Sequence, residues 1–398
     1  MPESSPFRSE WTIPDDVAYL NHGSFGPSPR CVQEARAEWS ARLEAQPMDF
    51  FLRQMEPALD AAAESLGRFI GADPRDLVFV DNATTAMNIV ADSLPLGPGD
   101  EVLLNDHEYG AVRRIWQRAC DRRQARVVCA TIPTPLESED DVVGPLFEAV
   151  TPRTKLIVVS HVTSPTAIVF PVEQICRKAR ERGIPVGIDG PHAIAMRDVN
   201  LREIGATFYC ASLHKWLSAP FGSGFLHVDR AWQSKLVVPE LSWGRSLSGR
   251  PFRWQDEWNW QGTRDPAPFL AVPAAIAFLG RAGIETFRQH GHHLAQTARR
   301  RLQAMIPGGQ PLTPDDEAWY GTMVTIPLGS GPSLRTAPNA WDPWQQALWE
   351  RHRIEVPIVD WHGRRYVRVS AHLYNTADEI DRLCAALAEL SRCQAAPG

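Results

Sequence analysis

Short apolar runs alternate with amphipathic segments over the first two-thirds of this chain. Residues 77–80, 101–104, 125–128, 155–159 and 185–188 are rich in Val, Leu and Ile and read as strands. Between them, 86–93, 111–123 and 172–182 space their apolar residues with a helical period. That alternation predicts an α/β fold in which helices cover a mostly parallel sheet. Residues 236–265 lose the rhythm and concentrate Trp243, Trp254, Trp258 and Trp260, which predicts a packed irregular loop. Helical spacing returns from 267 to 306. A strand at 322–327, a Gly/Pro/Ser-rich loop at 328–339, a helix at 342–352, a strand at 366–370 and a helix at 376–390 follow. The change of rhythm divides the chain into an arm (1–22), a large domain (23–270) and a smaller α+β C-terminal domain (271–398).

Composition narrows the classes of function. With 398 residues, 44% of them hydrophobic, the chain can bury a large core. Its formal charge of −6 and its lack of a basic run argue against nucleic acid or an anionic membrane as partner. No apolar stretch reaches membrane-spanning length, and the first residues lack the charged and apolar regions of a signal peptide, so a cytoplasmic protein is expected. The seven cysteines are odd in number and form no close pairs, which predicts reduced thiols and no zinc site. His290, His292 and His293 imitate a metal cluster, but on a helical stretch the three cannot converge, so no metal is expected.

Lysine is the residue that changes the picture. Only four of the 41 basic residues are lysines, Lys155, Lys178, Lys215 and Lys235. A lysine amine can lose its proton and attack a carbonyl, which guanidinium cannot do. Lys215 lies in Ser212-Leu213-His214-Lys215-Trp216, and upstream an apolar run ends in Asp189-Gly190-Pro191-His192. An acid at a strand end followed by a lysine in a tight loop suits pyridoxal phosphate. The lysine forms a Schiff base and the acid keeps the ring nitrogen protonated. Asn82-Ala83-Thr84-Thr85 reads as a strand-to-helix turn whose amides and hydroxyls fit a phosphate, although by itself helix capping is the commoner explanation. Taken alone, Arg368 reads as a solvent-facing strand residue, and His22 and His161 as core or loop histidines.

These segments, with Ser160-His161-Val162-Thr163-Ser164 and Arg368-Val369-Ser370, resemble class V aminotransferase-fold pyridoxal-phosphate enzymes of fold type I. Tyr19-Leu20-Asn21-His22-Gly23-Ser24-Phe25, Gln46-Pro47-Met48-Asp49-Phe50 and Asp106-His107-Glu108-Tyr109-Gly110-Ala111 are similar to the isopenicillin N epimerase-like branch. The resemblance implies a seven-stranded-type sheet in the large domain and these roles. Lys215 would bind the cofactor and act as acid and base at the substrate Cα, and Asp189 would pair with the ring nitrogen. His192, Thr163 and Ser164 would lie about the ring, and Ala83, Thr84, Ser212 and His214 would bind the phosphate. Thr263 would reach the phosphate of a neighbouring subunit, making a homodimer with shared sites. Tyr109, or Glu108 after a shift by one, would stack on the ring. Arg368 would grip the α-carboxylate, with Asn21, His22 and Gly23 beside the substrate.

The reaction stays open at this level, because one Cα carbanion leads to several products. A sulfur relay is set aside, since 355–359 has no cysteine where desulfurases of this fold carry one. The leading expectation is β-elimination by a C–S lyase acting on a cysteine S-conjugate. Epimerisation of an amino-acid moiety, with Tyr109 or His22 as second acid/base, and decarboxylation coupled to oxidative deamination are the alternatives. A non-catalytic binding protein on the same scaffold would have lost Lys215 or Asp189, and both are present. The resemblance points to specialised, antibiotic-type metabolism.

Overall fold

Strands buried on both faces must be apolar throughout, and those in the middle of this chain are. The computed structural model describes residues 5–306, 309–329, 334–335 and 340–395. After the short strand β1 (Ala18–Tyr19), seven strands form one sheet: β2 (Leu77–Val80), β3 (Glu101–Asn105), β4 (Arg126–Ala130), β5 (Thr154–Ser160), β6 (Val186–Asp189), β7 (Phe208–Ser212) and β8 (Gly224–Val228). Their order is β2-β8-β7-β6-β5-β3-β4, and only β8 runs against its neighbours. Ser160 pairs with Asp189 and Asp189 with Cys210, so β5, β6 and β7 end nearly level. Ligands of such sheets bind beyond the carboxyl ends of the strands.

Each face of the sheet has its own core. Helices Ala83–Ser93 and Gly110–Arg123 bury Met87 and Trp116 with Val102, Leu104, Val158 and Phe208. On the other face, Leu59, Ile175 and Phe278 from three further helices join Leu103, Ile157, Ile188 and Tyr209. A third core surrounds the antiparallel sheet β11-β12-β9, built from β9 (Met323–Pro327), β11 (Ile358–Trp361) and β12 (Arg364–Ser370). Ala18 and Leu20 belong to that third core, because β1 pairs in parallel with β10 (Ile354–Glu355).

Two features depart from the pattern reading. Strands β7 and β8 were not expected: Phe208-Tyr209-Cys210-Ala211-Ser212 has no β-branched run, and central burial rather than propensity makes it a strand. The stretch expected to be helical from 267 to 306 breaks into Ala267–Leu270, Val272–Ala282 and Ile284–Met305. Gly283, at φ 86°, turns the last of these by 76° from the preceding pair. Among the described residues no single helix is long and apolar enough to cross a membrane. The loop expected at 328–339 lies partly outside the described residues.

Residues 236–265 are irregular apart from Asp256–Asn259. They are pinned by buried Glu56, which accepts hydrogen bonds from Leu247 N (2.6 Å), Ser246 Oγ (2.7 Å) and Ser248 Oγ. The tryptophans divide here, Trp258 buried and Trp243 largely exposed.

Candidate active site

A cavity of about 640 Å³ opens over the ends of β2, β5, β6 and β7, where Asn82, Ser160, Asp189 and Ser212 reach its wall. Lys215 enters from the loop joining β7 to β8. That loop is closed by Leu213 N to Ser223 O (2.9 Å), Ala219 N to Leu213 O (3.1 Å) and Ser218 N to Lys215 O (2.7 Å). Lys215 Nζ stands 3.0 Å from His192 Nε2. Burial disfavours the charged form of both Lys215 and Asp189, lowering the amine and raising the carboxyl, while each charge opposes the other's shift. Burial also holds His192 and His214 neutral, the latter down to about 4.

At the phosphate-type turn, part of the capping reading holds. Asn82 Oδ1 accepts from Thr85 N (2.9 Å), capping helix Ala83–Ser93, and Ala83 N donates to Ser212 Oγ (2.9 Å). Thr84 faces the cavity at the helix N-terminus, where an anion is favoured.

Arg368, on β12, is buried rather than solvent-facing. Its guanidinium donates to Ser164 O (2.7 Å), Ser164 Oγ (3.1 Å) and Ser24 Oγ (2.5 Å). Burial lowers it to about 10, so it keeps its charge near neutrality. A planar fork held on three oxygens is suited to a carboxylate. Arg368→Lys keeps the charge but loses the fork, and the Michaelis constant for an amino-acid substrate is expected to rise about 10- to 100-fold. Unchanged kinetics would remove Arg368 from substrate binding.

Tyr109, at the N-terminus of helix Gly110–Arg123, faces the cavity and is 49% exposed. Glu108, the alternative at this place, is buried outside the cavity wall and accepts from Ser160 N (2.8 Å), Ser160 Oγ (2.8 Å) and Asn105 Nδ2 (2.6 Å). Burial pushes its carboxyl up to about 7.

Four expected site residues lie elsewhere. His22 is fully buried behind the lysine loop, with Nδ1 on Tyr374 Oη (2.9 Å) and Nε2 on Lys215 O (3.0 Å), so it cannot act as the second acid/base. Asn21 bonds Glu355 (3.3 Å), bridges to Ser370 and does not line the cavity. Thr163 Oγ1 is taken up by Thr166 Oγ1 (2.6 Å) and Ile168 N (2.8 Å), a turn role rather than a cofactor contact. Thr263 is exposed and outside this chain's cavity. Gly23 does line it, and a Cβ there would come within 2.8 Å of Ser370 Oγ. Ser24, Phe25 and Ser160 also line the cavity and were missed, because nothing in their types marks them without knowledge of which strands end together.

Burial holds both His22 and His161 down to about 3. In the unfolded chain each takes up a proton near pH 6.5. The unfolded state therefore binds more protons below that pH, and stability is lost as pH falls from about 6.5 towards 3. The melting temperature is expected to drop steadily from pH 6.5 to 4; a flat profile would show that these histidines are solvated.

The residues present fit a phosphorylated, aldehyde-bearing ring. Buried His192 Nδ1, His214 Nδ1 and Arg368 Nε have no partner within the protein, and an amine, an acid and a helix N-terminus surround one space. Fold and site together define a fold type I pyridoxal-phosphate enzyme, and pyridoxal 5′-phosphate is its cofactor. The family model described as Aminotransferase class-V matches residues 18–383, and the chain belongs to that family.

Relatives include isopenicillin N epimerases of Amycolatopsis lactamdurans (38% identical; 97% of this chain, 98% of that protein) and Streptomyces clavuligerus (37%; 96% and 97%). A putative L-cysteine desulfhydrase of Oryza sativa subsp. japonica is 30% identical over 92% of this chain and 82% of its own length. Among solved structures, a mutant of C-DES with glycine covalently linked to its PLP cofactor superposes with a TM-score of 0.81 at 20% identity, covering 97% of this chain and all of that one.

Proposed function

We propose that this protein is a pyridoxal-phosphate-dependent amino-acid epimerase, which takes the Cα proton from one face of its substrate and returns a proton to the other. The observation carrying this reading is that Lys215 and Tyr109 reach the cavity from either side of Asp189. In the order β7-β6-β5-β3, Lys215 follows β7 and Tyr109 follows β3, and the Asp189 end of β6 lies between. The full-length relatives named isopenicillin N epimerase support the same chemistry.

Pyridoxal phosphate, when bound, supplies the electron sink that makes a Cα proton acidic. Lys215 would hold it, Asp189 would face its ring nitrogen, and Thr84, Ser212 and His214 would stand at its phosphate. Arg368 fixes the substrate carboxylate, so that Cα is presented between the two proton-handling groups. Lys215, whose ammonium form burial disfavours, withdraws the proton. The Tyr109 hydroxyl delivers one to the opposite face and recovers its own from water, to which it is open. Only a Cα–H bond breaks and reforms, so substrate and product have one composition. Thr263, exposed on the irregular loop, is the group through which a second copy would complete the phosphate site.

A second reading is β-elimination from a cysteine S-conjugate, because Lys215 alone suffices as its base and desulfhydrases are among the relatives. Incubating holoenzyme in deuterated buffer with an aminoadipyl peptide and a cysteine S-conjugate separates the two by mass spectrometry and chiral analysis. Deuterium at an inverted Cα is expected; pyruvate and a free thiol would instead establish the elimination. Tyr109→Phe keeps the ring and removes the hydroxyl. Inversion is expected to fall about 10²- to 10⁴-fold while exchange of the Cα proton on the lysine face persists. Equal loss of both would assign Tyr109 to cofactor seating alone.

A further inference from the structure

Lys215 meets the cavity through its amine and is held from behind through its carbonyl. The turn that follows it closes with Ser218 N donating to Lys215 O (2.7 Å). Ser218 stands at φ 55°, in the left-handed region that side chains avoid, so this turn depends on its surroundings. Those surroundings are two stacked histidines, His22 and His372, with ring centres 4.2 Å apart. His22 Nε2 faces Lys215 O at 3.0 Å, and His372 Nε2 faces the next carbonyl, Trp216 O, at 3.3 Å. Ser218 Oγ lies between the pair, 3.3 Å from one Nε2 and 3.4 Å from the other. All three side chains are buried within one chain, out of reach of a neighbouring copy. A carbonyl oxygen only accepts, so the proton of each ring sits on Nε2, and burial keeps both rings neutral. That leaves His22 Nδ1 bare, and it accepts from Tyr374 Oη (2.9 Å), just beyond β12. Gly26 permits the close fit, since a Cβ there would lie 2.5 Å from His22 Nε2 and 2.6 Å from His214 O.

We infer that His22 is a positioning residue for Lys215: its Nε2–H, fixed in place by Tyr374, holds the Lys215 carbonyl and so aims the side chain into the cavity. The inference rests on the reading of Lys215 as the group that holds the cofactor and withdraws the Cα proton. Nζ stands 3.0 Å from His192 Nε2, and that place depends on how the Lys215 backbone is turned. A carbonyl free to swing would carry the whole residue with it, and a misplacement of about 1 Å costs about 10²-fold. His22 therefore acts on the chemistry without touching substrate or cofactor.

Two amides separate the roles of the two ring nitrogens. His22→Gln places an N–H where Nε2 stands and keeps the bond to Lys215 O. His22→Asn reaches only the Nδ1 place and keeps the bond from Tyr374. Full-length apoprotein of each is mixed with pyridoxal phosphate, and the rise in visible absorbance reads covalent attachment, with loss of water, before any substrate is added. Attachment is expected to slow about 10- to 100-fold in His22→Asn and to stay within about threefold in His22→Gln. Nitrogen NMR of the unaltered protein, labelled at histidine, is expected to show the His22 proton on Nε2; the His22 signal is the one that His22→Gln lacks. This second measurement decides the matter even where His22→Asn does not fold. Attachment as fast in His22→Asn as in His22→Gln, or a proton on Nδ1, would overturn the inference and leave the epimerase reading standing. Borohydride fixing the cofactor to a residue other than Lys215 in the unaltered protein would overturn both.

Discussion

Lys215→Ala is expected to lower turnover by about 10⁴-fold or more, the upper range for removing a general acid/base that also holds the cofactor. The side chain is partly buried in the cavity wall, its amine is 3.0 Å from His192 Nε2, and desolvation favours its neutral, nucleophilic form. No neighbouring group can replace it. The other lysines, Lys155, Lys178 and Lys235, do not line the cavity, and His192 is held neutral at a fixed distance. Borohydride should fix cofactor to the unaltered protein and not to the variant, as read by mass spectrometry. Undiminished turnover by the variant would end the mechanism, whatever its spectrum.

Asp189→Asn should have the next largest effect. The carboxyl closes β6 at a place where burial alone raises it, and the Lys215 charge draws it back towards the ionised form. A protonated ring nitrogen does the same, so cofactor and carboxylate stabilise one another in a site with little water. Removing one partner of a buried charge pair costs about 3–5 kcal/mol, on the order of 10²- to 10⁴-fold. Cofactor affinity, measured by fluorescence titration of apoprotein, is expected to weaken by that factor, and Asp189→Glu to recover only part of it. Unchanged affinity in Asp189→Asn would show that the ring nitrogen lies elsewhere.

Much of this site was legible because rare residue types carried it. A lysine in a chain that otherwise uses arginine, and an acid closing an apolar run, stand out without any fold. The alternation of strands and helices gave the α/β class for the same reason: buried parallel strands leave uninterrupted apolar runs. Strand β7 escaped notice because its burial comes from its place in the sheet and not from its composition. His22 illustrates the opposite failure. It adjoins Gly23 and Ser24, which do line the cavity, yet one residue of difference turns its ring behind the lysine loop onto Tyr374. Arg368 could not be read from alternation at all, because the strand face it occupies is covered by loops that begin near residue 20 and residue 162.

The pairing of β1 with β10 bears on how the protein is made. Asn21 and Glu355, joined just beyond that pair, are 334 residues apart in sequence. During synthesis, the large sheet can assemble on emergence, whereas the first strand has no partner until nearly the whole polypeptide has left the ribosome. Ser24 and Phe25 hang from that strand, so the substrate-facing wall closes last. A nascent chain halted before residue 354 should hold a formed sheet with its first twenty-odd residues still open to protease, and only the finished chain should protect them.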